Sequence, residues 1–315
     1  MLKDFISSTF QVDEIMFLEA LQMSPGAQGA IHGAISEILL KEFLENNDFE
    51  VLRIKEKPAG GNNAKSLDAK GDFYIRKKGN KNDEWYVVEC KGLKTNSEFR
   101  GSKLDSPDKV FKELKKLTFN KKSNKEIYEE AYNRYYLKSK KKWESDNPGK
   151  YFPEFKWDMN HPGPNNTDLD SIWKNEKELK DWVYKQDLSL FTEESYRKGE
   201  GIIKILETHK PSSRKATFTG VTQTAPLVSD FSILAVDLFF RTGKHEFVFM
   251  NPQSISHSPS SPEHLYQNYT IDILVHNLKS KPIIKHPWYS NIFDCIEKTN
   301  VPYRNIDLSQ VDNRL

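Results

Sequence analysis

Apolar positions in the first 46 residues recur at helical spacing. Phe5, Ile6, Phe10, Val12, Ile15, Met16, Leu18 and Leu21 predict one or two short helices over residues 3–22. Ser24-Pro25 then supplies an N-cap and a proline at the first helical position, opening a helix that runs to about Asn46-Asn47. Its expected apolar face is Ile31, Ile35, Ile38, Leu39 and Phe43. At 100° per residue Glu37 falls on the other side, in line with Gly26, Ala30, Gly33, Leu40 and Leu44. An acid among small and apolar neighbours suits a site better than bulk solvent.

Shorter apolar runs follow. Phe49 to Lys57 predicts a strand, and Pro58 to Lys65 a flexible Gly- and Asn-rich loop. Phe73-Tyr74-Ile75 and Trp85-Tyr86-Val87-Val88 are aromatic or β-branched and flank a polar stretch, Lys77 to Asp83, which predicts a hairpin. Helices are expected from Ser106-Pro107, with Val110, Phe111, Leu114 and Leu117, and from Lys125 to Trp143. Residues 148–168 read as loop, and helical pattern returns at 170–185 and 193–207. The last third turns to strands, at 216–224, 233–240, 246–250 and 269–275, with Arg241 to Lys244 as a turn and a short amphipathic helix near Trp288 to Lys298. These shifts divide the chain into a core over 1–120, a basic, aromatic-rich helical insertion over 121–210 and a β-rich part over 211–315 that completes the core or contacts a ligand.

Composition adds three constraints. With 37% hydrophobic residues, 12% aromatic residues and a mean hydropathy of -0.71, the chain has a polar surface over a real core rather than a disordered one. The net charge of +2 is unevenly spread: residues 101–156 hold 15 Lys+Arg against 9 Asp+Glu, a basic block that fits a polyanion. The two cysteines, Cys90 and Cys295, have no metal-site or disulfide spacing. No window approaches the roughly 18 apolar residues of a membrane span, so a cytoplasmic protein with no membrane partner is expected. The eight histidines form no zinc pair, and no Gly-rich loop ends in Gly-Lys-Ser/Thr, so no nucleotide cofactor is expected.

The hairpin carries the chemistry. Antiparallel pairing brings Asp72 and Glu89 to the same end, with Lys91 two residues on, and two carboxylates meeting there are costly unless a cation joins them. On a strand Glu89 and Lys91 share one face while Cys90 points to the other. Of the five acid-any-lysine triplets in the chain, only Glu89-Cys90-Lys91 closes an apolar strand that follows a Gly-Asp strand start.

A helix glutamate, then Gly71-Asp72 at a strand start, then Glu89-Cys90-Lys91 on the next strand resembles the PD-(D/E)xK nuclease superfamily, most of all its restriction endonuclease and Holliday-junction resolvase branches. The resemblance covers residues 25–94, with Gly71 in place of the motif's proline. It implies an α/β (α+β) fold with a restriction-endonuclease-like core, a central mixed sheet flanked by helices. It also implies one or two Mg²⁺ ions, with Mn²⁺ as a substitute, held by Asp72, Glu89, the Cys90 backbone carbonyl and Glu37, while Lys91 orients or activates the attacking water. The roughly 200 further residues suit sequence-specific recognition of double-stranded DNA by a homodimeric type II restriction endonuclease. Asn63, Lys65, Arg100, Lys103, Gln223 and the lysines of 115–142 are the candidate DNA contacts. A structure-selective repair or recombination nuclease and an inactive DNA-binding module are the alternatives.

Overall fold

The computed structural model describes residues 1–55, 71–80, 82, 84–92, 106–152, 169, 172–187, 203–206, 214–216, 220, 222–223, 225–255, 257–258, 261–266, 270–274, 284 and 286–312. Three helices open the chain: α1 (Leu2–Phe10), α2 (Glu14–Met23) and α3 (Pro25–Asn46). Ser24 caps α3 as its sequence predicts, accepting the Ala27 N–H at 3.3 Å, with Pro25 in the first turn.

Next come β1 (Phe49–Arg53), β2 (Phe73–Lys77) and β3 (Tyr86–Gly92), an antiparallel meander in the register Arg53↔Phe73↔Val88. The predicted hairpin is therefore present. The chain then inserts α4 (Pro107–Leu117), α5 (Asn124–Ala131), α6 (Leu137–Asp146) and α7 (Glu176–Tyr184), followed by the short strands β4 (Ile203–Leu206), β5 (Arg214–Lys215) and β6 (Thr222–Gln223). A π-helical turn, Tyr132–Tyr136, interrupts the single helix expected over 125–143. Only after this insertion does the sheet resume, with β7 (Ile233–Asp237) parallel to β3 and β8 (Phe247–Met250) antiparallel to β7. The result is a five-stranded mixed sheet in the order β1-β2-β3-β7-β8.

Period-2 alternation gives this sheet two apolar faces. Phe73, Ile75, Val88, Cys90, Ala235 and Phe249 pack with Leu40 and Leu44 of α3 and with Ile292 and Cys295 of the helix Ile292–Thr299. Tyr74, Val87, Leu234, Val236 and Val248 pack on the opposite side with Ile255, Leu265, Ile271 and Trp288. A third cluster joins Val110, Leu114 and Leu117 of α4 to Trp173, Leu179 and Val183.

Four expectations are corrected. Ser36, Leu40 and Leu44 are the buried positions of α3, whereas Ile31, Ile35 and Ile38 are exposed. The helix is apolar on nearly all sides, so its period cannot choose a face, and the stripe containing Glu37 is the one that meets the sheet. Ile203–Leu206, expected to be helical, pairs as a strand with β9 (Thr270–Leu274), a partner far along the chain. Of the strand expected over 216–224, the described part is the two-residue β6, paired with β5. The strand expected over 233–240 stops at Asp237, where Phe239–Thr242 forms a helical turn ended by Gly243 at φ 70°.

Candidate active site

Asp72 sits just before β2 and is tied on both sides. Its N–H donates to the Val88 carbonyl at 2.8 Å, and its carbonyl accepts the Ile54 N–H at 2.8 Å. Its Oδ2 accepts the Cys90 N–H at 2.7 Å, so the carboxylate is locked against the strand that carries Glu89 and Lys91. A Cβ on Gly71 would lie 2.5 Å from Val87 Cγ1 and 2.7 Å from the Val88 oxygen. Here the position of the motif's proline accepts no side chain unless a strand moves.

Glu89 and Lys91 follow Val87 on one face of β3 and form an ion pair. The Glu89 side chain is only 13% exposed. Burial, and next the Asp72 carboxylate, push its pKa up to about 8; Lys91 works against that shift and Asp230 adds to it. Burial disfavours the Lys91 charge, yet Glu89 and Asp72 together raise its pKa above the ordinary lysine value. Lys91 thus lies within reach of both the Glu89 and Asp72 charges in a buried place. The Cys90 thiol points to the α3 side, where burial and then the Asp72 charge raise its pKa, which leaves it unreactive as a nucleophile.

This donor set suits a hard divalent cation. It offers two carboxylates, and Glu89 holds its proton because burial and the neighbouring Asp72 disfavour its charge.

Comparison with family models, curated proteins and solved structures finds no match. The site therefore rests on its own geometry.

Glu37 sits on α3, and its charge acts on the Cys90 thiol. Arg53 shares the α3-facing side of β1 with Phe49 and Val51, and its Nη2 contacts Glu37 Oε2 at 2.9 Å. Among the described residues no three His, Cys, Asp or Glu side chains are grouped to hold a metal ion. Asp72, Glu89 and Lys91 are brought together, and Glu37 pairs with Arg53. Of the expected DNA contacts, Asn63, Lys65, Arg100 and Lys103 lie outside the described residues, as does the side chain of Gln223, whose backbone belongs to β6. Several lysines of the basic block are engaged locally: Lys115 with Glu176 at 2.5 Å, Lys116 with Glu113 at 3.5 Å, and Lys122 with Glu130.

One cluster escaped sequence reasoning. Asp237 closes β7 opposite Gly92 of β3 and is fully buried. Its Oδ2 accepts the Ser36 hydroxyl at 2.5 Å and meets His245 Nδ1 at 2.7 Å, while Oδ1 accepts the Phe239 N–H at 2.9 Å. His245 lies flat on the Phe239 ring, with centroids 4.3 Å apart. The signal was an acid closing an apolar strand, the same signal that Glu89 gives. What the sequence hides is the parallel pairing that sets the two acids on neighbouring strands.

Proposed function

We propose that this chain is a metal-dependent phosphodiesterase that cuts double-stranded DNA at a specific sequence. The observation that carries the reading is Glu89, an acid held buried beside Asp72, paired with Lys91, and with its pKa raised to about 8. A purely structural acid would gain stability from full pairing; this one gains it from a further cation. The order of helix, antiparallel meander and parallel fourth strand also agrees with a restriction-endonuclease-like core.

In this reading Asp72 and Glu89, with the Cys90 carbonyl, hold one or two Mg²⁺ ions, which supply charge to offset that of the phosphate and acidify bound water. The chain's own residues do the rest. Asp72 cannot swing away, because the Cys90 N–H fixes its Oδ2. Lys91 keeps its proton at neutral pH, so it orients the attacking water and stabilises negative charge building on the phosphate rather than acting as a base. The water's oxygen bonds to phosphorus, its proton leaves to solvent, and the bond from phosphorus to the departing sugar oxygen breaks as that oxygen takes a proton from solvent. The basic block of residues 101–156 supplies the charge that draws the polyanion.

The test is a digest of unmethylated phage DNA with and without Mg²⁺, run beside Asp72→Ala and Lys91→Ala. Discrete bands that need Mg²⁺ and fall at least about 100-fold in both variants are expected. A smear assigns a non-specific or structure-selective nuclease. Binding without cutting leaves a DNA-binding module.

A further inference from the structure

We infer that a cavity beside α7 binds one unstacked nucleotide of a nucleic-acid strand, its base against Trp182 and its phosphates on Lys177 and Lys185. The inference rests on the proposed reading of the chain as a DNA-binding protein, not on its metal chemistry. The cavity measures about 470 Å³ and shares no residue with the group of Asp72, Glu89 and Lys91. That volume falls in the range of roughly 300–1,000 Å³ typical of small-ligand sites.

One helix face builds most of its wall. Glu178, Asp181, Trp182 and Lys185 are spaced i, i+3, i+4, i+7 along α7 and its C-cap, so they share a stripe. The helix is held firmly beneath them. Leu179 and Val183 are buried with Val110 and Leu114 of α4. Lys115 pairs with Glu176 at 2.5 Å, and the Tyr184 hydroxyl donates to Asp108, so two polar contacts brace α7 on α4. Buried Trp173 packs against Trp182 with ring centroids 5.4 Å apart, which fixes the half-buried Trp182 indole. The site is thus formed before any ligand arrives.

Charge and hydrogen bonding select the ligand. Glu178 is already occupied: its carboxylate accepts the Lys174 N–H at 2.9 Å, and its own N–H donates to Asn175 Oδ1 at 2.9 Å. Lys177, Asp181 and Lys185 also line the cavity, and among the described residues none of the three has an ion pair. Two ammoniums against one carboxylate favour an anion over the cation that a pair of indoles would otherwise attract. An indole face suits a flat ring, and stacking on it accepts any base. A flat ring with an anion attached is a nucleotide. The Asn175 amide nitrogen and the Asp181 carboxylate add a donor and an acceptor for the edge of the base. A base inside a duplex cannot reach such a pocket, so the nucleotide is one that has left its stack. The helix α4 beneath α7 belongs to the basic block of residues 101–156, which draws a strand to this place.

Anisotropy of a short fluorescein-labelled oligothymidylate, titrated with the full chain in EDTA, tests this. Trp182→Ala should weaken binding about tenfold, and Trp182→Tyr, which keeps a ring, should recover most of the loss. The double variant Lys177→Gln, Lys185→Gln should lower the log–log salt slope by about 1.4, at roughly 0.7 per phosphate. Both lysines are exposed, so that variant folds even if Trp182→Ala does not. Tyr151→Ala, at an exposed aromatic elsewhere, should change nothing. No binding overturns the inference, as does binding that survives the Trp182 and lysine changes. Free thymidine monophosphate bound as tightly as the strand overturns it in favour of a small-molecule site. EDTA keeps cleavage out of the readout. A chain that cuts DNA but ignores Trp182 fails here alone, and one that binds through Trp182 but never cuts fails only the metal-dependent reading.

Discussion

Two acids lie on neighbouring strands of the same sheet, and they live in opposite states. Asp237, at the end of β7, is buried and met by three donors: the Ser36 hydroxyl, the His245 ring and the Phe239 N–H. Glu89, one strand over on β3, pairs with Lys91, and burial and then the Asp72 carboxylate raise its pKa. Asp237 lies opposite Gly92, three residues beyond Glu89 along β3. The difference lies in donor supply. A buried charge with matched donors is a structural element, whereas a buried charge short of positive partners is stable only with something added.

Breaking the comparison at Asp237 should have the largest effect. Asp237→Ala leaves the Ser36 hydroxyl, the His245 N–H and the Phe239 N–H without their acceptor, and should cost about 3 kcal/mol by urea unfolding. If stability is unchanged, the three-donor account is wrong.

At Glu89 the sign should reverse. The folded chain holds the Glu89 proton up to about pH 8, while the unfolded chain releases it near its ordinary value of 4.5. The unfolded state therefore binds fewer protons in that window, and wild-type stability should fall as pH rises through it. Glu89→Gln has no proton to lose. Without metal it should match the wild type near pH 5 and exceed it by about 2 kcal/mol at pH 9, read from paired thermal melts. Millimolar Mg²⁺ should narrow that gap by stabilising the wild type alone. Equal slopes for both proteins would remove the unmet charge at Glu89.

Glu37 should show the smallest effect. Its ion pair with Arg53 is partly exposed, so Glu37→Gln should cost no more than about 1 kcal/mol by the same melts. In the Mg²⁺-dependent digest it should retain most of the activity that Asp72→Ala loses. Loss equal to that of Asp72→Ala would place Glu37 in the reacting group.

Much of the site was legible because it is local. The hairpin, the Gly-Asp start of β2 and the alternation that puts Glu89 and Lys91 on one face all follow from period-2 patterning within 20 residues. The N-cap of α3 was legible for the same reason, since Ser24 and Pro25 act within one helical turn. The phase of α3 was not. Ile31, Ile35 and Ile38 are as apolar as Leu40 and Leu44, and only the sheet decides which stripe it covers. Nor could a local signal show that Asp237 lies beside Gly92, because that pairing spans 145 residues of chain.

By itself, then, the sequence determined the meander, the candidate acid-acid-lysine group and the basic block, since each depends on neighbours a few residues apart. Tertiary structure alone decided the parallel docking of β7 on β3, the side of the sheet on which Glu37 meets Arg53, and the face of α3 left uncovered. Those outcomes turn on which distant surfaces exclude water together, and burial depends on the whole fold, not on the segment.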